Sequence, residues 1–203
     1  MPSIKQPSEA VSRWTDCTAI MERKEETPMM TFDELLAYNR NRRICQIGFT
    51  VPESELKQTL TNWVERMGVG PWKVFKRTFT EEGNGMWIAL AMFGDTELEV
   101  VAPFGPWAAD YAWFKDHQPG FSHFKEYCPS LERAKKEEEF IARGCRLAPM
   151  AKKKLNPDWP DEAWYVETAE YVSFRLELGN FAYLSEADLT RQDPDWYWFP
   201  AKG

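Results

Sequence analysis

The stretch Ile44 to Val51 alternates in the manner of a strand. Cys45, Ile47, Phe49 and Val51 share one face, and Gln46, Gly48 and Thr50 share the other. Pro52 ends it. Leu56, Leu60, Trp63, Val64 and Met67 then recur at helical spacing, with Ser54 as the expected cap and Gly68 and Gly70 as the stop. Strands are predicted over 72–79, 86–93 and 96–102, with Asn84-Gly85 as a hairpin signal between the first two. The order is βαβββ. A second run repeats it. A strand over 121–128 ends at Pro129. A helix through Leu131, Ala134, Phe140 and Ile141 is capped by Ser130 and stops at Gly144, and strands follow over 146–150, 164–168 and 171–178. The last strand shows the cleanest alternation, with Val172, Phe174, Leu176 and Leu178 against Ser173, Arg175 and Glu177.

The two runs match residue by residue. Gln46 and His123 stand 77 positions apart, as do Pro52 and Pro129, Glu55 and Glu132, Trp63 and Phe140, and Val64 and Ile141. Glu99 and Glu177 are offset by one residue more. The fold class expected is α+β, two tandem βαβββ modules forming a curved-sheet cup. The predicted division is an N-terminal extension (1–42), a two-module domain (43–178) and a C-terminal extension (179–203). Within the domain, module 1 covers 43–103, a linker helix and turn 104–119, and module 2 120–178. Thr31 and Glu34 form a capping-box signature for a helix in the first extension. The aromatic ending Trp196-Tyr-Trp-Phe199 is expected to dock, on the domain itself or on a partner chain.

Composition narrows the function classes. With 203 residues, 43% hydrophobic and 28% charged, the chain can fill one ample core or two small intimate ones. A formal net charge of −7 argues against a nucleic-acid partner, and Lys152-Lys153-Lys154 is too short for a phosphate track. No apolar run is long enough for a membrane span, and the beginning lacks an apolar signal core, so a cytoplasmic location is the expectation. The four cysteines show no CxxC spacing, and Cys45 and Cys128 read as small buried hydrophobes. Ten Trp, 13 Phe and 7 Tyr supply core packing, an aromatic-lined pocket for a flat ligand, or both.

Duplication turns four polar residues into a candidate site. Gln46 and His123 fall on equivalent first strands, and Glu99 and Glu177 on equivalent last strands. Carboxylates on a closed-off sheet face are costly without a counter-charge, and a divalent cation supplies one. One imidazole nitrogen, two carboxylates and an amide oxygen suit zinc, nickel, cobalt, iron(II) or manganese. Singly, each residue also fits a rim acid or a hydrogen-bonded strand histidine. His117 falls in a polar loop and reads as surface.

The chain resembles the vicinal oxygen chelate superfamily, which includes glyoxalase I, methylmalonyl-CoA epimerase, extradiol dioxygenases and antibiotic-binding resistance proteins. The resemblance runs from about Arg43 to Leu178. It is carried by Cys45-Gln-Ile-Gly-Phe-Thr-Val51, Met67-Gly-Val-Gly-Pro-Trp72, Thr96-Glu-Leu-Glu-Val-Val-Ala-Pro103, Pro119-Gly-Phe-Ser-His-Phe124 and Phe174-Arg-Leu-Glu-Leu178. One glyoxalase I branch uses the ligand order Gln, Glu, His, Glu, which Gln46, Glu99, His123 and Glu177 match. Thr50 and Pro103 stand where that branch places glutathione-gripping Arg and Asn. The likeness therefore points away from glutathione.

What the resemblance implies is one-metal chemistry on a small molecule that chelates through adjacent oxygens, in an isomerase, epimerase or lyase. Glu177 is expected to leave the metal and act as base, with Glu99 returning the proton from the other side. Arg175, Lys125 and Tyr127 share those strand faces and are the candidates for gripping substrate. The rival expectation is a metal-free binder or a cyclisation scaffold for an aromatic small molecule. A homodimer is also compatible, because modules of this kind pair within a chain or between chains.

Overall fold

The computed structural model describes residues 30–78, 83–106, 108, 119–147, 164–179 and 185–202. The helix expected over 107–117 with His117, apart from Ala108, the loop over 152–160 with its three lysines, and Cys17 lie outside them. The described elements are α1 (Phe32–Asn39), β1 (Ile44–Thr50), α2 (Leu56–Met67), β2 (Trp72–Thr78), β3 (Gly85–Phe93), β4 (Thr96–Phe104), β5 (Gly120–Tyr127), α3 (Ser130–Ala142), β6 (Arg146–Leu147), β7 (Trp164–Glu167), α4 (Ala169–Val172), β8 (Arg175–Gly179), α5 (Glu186–Gln192) and β9 (Tyr197–Phe199).

All described strands join one curved, unclosed sheet, in the order β6-β7-β8-β5-β1-β4-β3-β2-β9. Each half repeats one pattern. The first strand lies parallel to the last of its own unit (β1 to β4, β5 to β8), and the intervening strands run outward antiparallel. The halves meet where β1 and β5 pair antiparallel. Two βαβββ units thus build one sheet.

Alternation decides the faces. Leu98, Val100 and Ala102 of β4 pack with Leu56 and Leu60 of α2, Trp72 and Val74 of β2, and Ile47, Phe49 and Val51. Val166, Leu176 and Leu178 do the same with Phe140 of α3 and Cys128. The opposite face therefore receives Gln46, Gly48, Glu97, Glu99, Glu177 and their neighbours.

Each helical segment follows a proline, α3 directly after Pro129 and α2 one short turn after Pro52. The serine caps expected at Ser54 and Ser130 are replaced. A single 3-10 turn (Glu53–Glu55) leads into α2 with no side-chain cap, and Pro129 holds the N-cap position of α3. Gly68 ends α2 at φ 65°, a left-handed conformation that suits glycine. The capping box of α1 forms, Thr31 Oγ1 accepting from the Glu34 N–H and Glu34 Oε2 accepting from the Thr31 N–H.

The strand expected over 171–178 is shorter than the alternation suggested. Tyr171 and Val172 end the short helix α4, Ser173 sits at φ 61°, and β8 starts at Arg175. The cause is local. Thr168 accepts the N–H groups of Tyr171 and Val172 on its carbonyl, and its hydroxyl donates to the Phe174 carbonyl at 2.6 Å. That turn outcompetes extension where the side chains of Tyr171 and Val172 are exposed.

The C-terminal segment docks on the domain itself. β9 pairs with the edge of β2, Leu189 of α5 is fully buried among Phe75, Ile88, Leu90 and Val101, and Asp193 accepts the Lys76 backbone N–H at 2.7 Å. At the other end of the sheet, α1 is tied to α3. Tyr38 Oη receives Lys136 and Arg143, and Arg42 pairs with buried Glu126.

Candidate metal centre

Strand register lays two rows of residues across the sheet face opposite α2 and α3. One runs Leu90, Glu99, Gly48, His123, Arg175. The next runs Glu97, Gln46, Lys125, Glu177, Tyr165. The four sequence candidates alternate between the rows around the β1–β5 seam, so residues remote in the chain become neighbours.

A bulge sharpens the meeting. Gly48 pairs with His123 and Phe49 with Phe121, leaving Ser122 as an extra residue in β5. The bulge turns Phe121 away to meet the Phe124 ring in a tilted contact at 4.8 Å, while His123 stays toward the site. The imidazole lies over Gly48, where an added Cβ would stand 1.8 Å from His123 Cε1. Only glycine leaves that space.

The Ser122 hydroxyl donates to the Gly48 carbonyl at 3.2 Å and lies 2.9 Å from His123 Nδ1. Its one proton is used on the carbonyl, so it accepts from Nδ1–H. That tautomer turns the Nε2 lone pair to the centre. Around Nε2 stand Gln46 Oε1 at 3.2 Å, Glu99 Oε2 at 3.2 Å and Glu177 Oε2 at 3.0 Å. The ligand atoms of Glu99, His123 and Glu177 lie within 4.8 Å of one another.

The outer ends of two of these groups are also held. Gln46 Nε2 donates to Glu97 Oε1, and Lys125 Nζ donates to Glu177 Oε1 at 2.9 Å. Gln46, Glu97, His123, Lys125 and Glu177 are all buried. Glu99 is the open member, 13% exposed against 2% for Glu177.

The donors fit a divalent cation. Buried Glu177 Oε2 faces His123 Nε2 at 3.0 Å, and a single Nε2–H could serve only one of the three oxygens facing it. Three carboxylates and one ammonium leave two negative charges in a buried cluster, which one divalent ion cancels. Without an ion, protons substitute. Burial disfavours the His123 imidazolium, yet hydrogen bonds and charges from Glu177 and Glu99 outweigh it and push its pKa up to about 9. Burial raises Glu97 to about 7 against the pull of Lys125. Burial likewise opposes charge on Glu177 and Lys125, but each holds the other ionised, Glu177 below and Lys125 above its usual range.

The remaining candidates are dispersed. Lys125 lies within the cluster, bound to Glu177. Arg175 lies at the rim, 3.3 Å from Glu167, with its guanidinium 5.9 Å from the Tyr165 ring. Tyr127 ends β5 with its side chain exposed, and no hydrogen bond ties it to the four candidates. Sequence reading missed Gly48, Ser122, Glu97 and Tyr165, whose ring meets His123 edge-on at 5.3 Å. For Glu97 the signal was available: it shares the alternation of Glu99 and pairs with Gln46. Ser122 had no such signal, because its role depends on the bulge.

No protein-family model and no curated protein sequence matches the chain. Solved structures do. A hypothetical protein from Bacillus halodurans superposes with a TM-score of 0.52 at 15% identity, covering 72% of this chain and 99% of its own. A variant of Streptomyces coelicolor methylmalonyl-CoA epimerase, bound to 2-nitronate-propionyl-CoA, gives 0.50 at 14% identity, covering 71% and 97%. A methylmalonyl-CoA epimerase bound to methylmalonyl-CoA and ammonium gives 0.50 at 14%, covering 70% and 96%. The fold is thus of the vicinal oxygen chelate, or glyoxalase, type.

Proposed function

We propose that this protein is a divalent-metal-dependent isomerase or epimerase, or a related lyase, acting on a small molecule with adjacent oxygens and an acidic C–H. One observation carries the reading: the oxygens of Gln46, Glu99 and Glu177 converge on His123 Nε2 in a buried cluster whose carboxylates, with Glu97, outnumber its one lysine. A cation held there by Gln46, Glu99, His123 and Glu177 would supply Lewis acidity toward a substrate oxygen.

The chain's own groups supply the proton chemistry. Glu177 is pinned by Lys125 and closed off from solvent, whereas Glu99 is the open carboxylate. This favours Glu99 over Glu177 as the base that moves to the substrate carbon, reversing the order expected from sequence. Glu99 comes from β4 and Glu177 from β8, on opposite sides of the β1–β5 seam. A proton taken on one side and returned on the other inverts a stereocentre. Acyl thioesters such as methylmalonyl-CoA, the ligand in one of the epimerase structures above, have the required C–H acidity. Arg175 at the rim is placed to meet a substrate anion, with Tyr165 covering the inner wall.

A second reading has its own support. Protonated His123 and Lys125 can balance Glu99 and Glu177 without a metal when Glu97 is neutral, which suits a ligand-binding protein with no chemistry. Solvent-exchange assays separate the two. Metal-replete protein incubated in D2O with 2-substituted acyl thioesters and 2-hydroxy ketones should place deuterium at the acidic carbon. Chelation and Glu99→Gln should each abolish the exchange. Ligand binding that persists unchanged without metal, and no exchange, would favour the binder.

A further inference from the structure

The metal-centre reading leaves two buried charged side chains, Glu97 and Lys125, with no part in coordination or proton transfer. Both stand in the second row of the sheet face, flanking Gln46 in register. Both are buried. Burying such charges is expensive, so their placement needs a reason.

The reason lies in the ligands they touch. Gln46 and Glu177 are two-ended groups. An amide can present its oxygen or its NH2, and only the oxygen binds a cation. A carboxylate can present one oxygen or straddle the ion with both. Glu97 Oε1 accepts the Gln46 NH2, which turns Gln46 Oε1 to the centre, 3.2 Å from His123 Nε2. Lys125 holds Glu177 Oε1 at 2.9 Å, which leaves Oε2 facing His123 Nε2 at 3.0 Å. Ser122 does the same for His123, taking Nδ1–H so that Nε2 faces inward. Glu99 is left as the ligand able to swing.

Resting on that reading, we infer that Glu97 and Lys125 are positioning residues: Glu97 selects the oxygen of Gln46 for the metal, and Lys125 restricts Glu177 to one oxygen. The pair works as one charged layer under the ligands, so a change in Glu97 should be felt through Gln46 and not at the rim.

The test is a calorimetric titration of chelator-stripped protein with cobalt(II), alongside thermal unfolding of the same samples. Outer partners of metal ligands are typically worth about 10–100-fold in affinity. Glu97→Leu removes the acceptor, and a loss of about that size is expected. Glu97→Gln keeps an acceptor oxygen and should stay within a few-fold of wild type. The exchanged pair Gln46→Glu with Glu97→Gln keeps the bond with donor and acceptor reversed, conserves total charge, and should bind at least as tightly as wild type. A purely structural Glu97 would lower the unfolding temperature of Glu97→Leu and leave the affinity of the folded protein unchanged, which would overturn the inference. If Glu97→Leu does not fold, the exchanged pair decides: affinity at or above wild type supports the inference, and a tenfold loss overturns it. Wild-type protein that binds no cobalt, zinc, nickel or manganese fails the metal reading itself, a different result from either.

Discussion

The imidazole of His123 lies directly over Gly48, in the space where a Cβ would come within 1.8 Å of its ring. Two residues on the paired first strands of the two units are therefore matched in shape, one without a side chain so that the other can reach across the seam. Gly48→Ala should push the ring off its three oxygen neighbours. Divalent-ion affinity should fall by at least about tenfold, since the ligand and its orienting Ser122 both move. Titration calorimetry on the folded variant checks this, and unchanged affinity would show that the ring position is not needed.

Metal binding should release a proton. In the ion-free protein His123 is held protonated up to about pH 9, because the hydrogen bonds and charges of Glu177 and Glu99 outweigh the penalty of burial. A cation needs the Nε2 lone pair, so it displaces that proton. Affinity should rise by about tenfold per pH unit from pH 7 toward 9 and then level off. Titrations in buffers of different ionisation enthalpy would reveal the proton. The same raised pKa, above that of an unfolded histidine, gives the ion-free fold stability below about pH 6.5 that disappears as pH rises through 9.

Arg42 should matter for stability through Glu126. Burial raises the Glu126 pKa, but the Arg42 hydrogen bond and charge, with Lys136, overcome it and hold the carboxyl below its usual range. A lowered acid contributes stability above its unfolded pKa and loses it as pH falls through the folded value. Arg42→Ala should cost about 1–3 kcal/mol at pH 7, less than a fully broken buried pair because Lys136 remains at 3.2 Å. The difference from wild type should shrink at pH 3. Denaturant unfolding at both values measures it.

Leu189 tests whether the C-terminal segment belongs to the core. It is fully buried against β2, β3 and β4 on the face that carries Glu99. Leu189→Ala should destabilise the whole domain by about 2–5 kcal/mol in one cooperative transition. Loss of the segment alone, with the domain's unfolding midpoint unchanged, would show that it is an appendage.

The fold was largely legible because hydrophobic period and duplication agree. Strands β1 to β5 and helices α2 and α3 follow from alternation, helical spacing and the prolines at Pro52 and Pro129. The meeting of Gln46, Glu99, His123 and Glu177 was legible for the same reason, since symmetry places matching residues about one seam. What stayed hidden depends on contacts between strands. The Ser122 bulge changes which side chains face the site, and no local pattern announces it. Alternation from Val172 to Glu177 overstated β8, because the Thr168 hydrogen bonds to the turn at 168–174 compete with extension. Lys125 shared a face with the site residues and read as a substrate grip. Its pairing across to Glu177 appears only once β5 and β8 are set in register.

The most direct test is crystallographic. Crystals of chelator-stripped protein soaked in zinc, measured at the zinc absorption edge, should show one anomalous peak per chain within about 2.0–2.3 Å of Gln46 Oε1, Glu99 Oε2, His123 Nε2 and Glu177 Oε2. His123→Ala should abolish that peak. A site with no zinc, or zinc bound only elsewhere on the protein, would contradict the account.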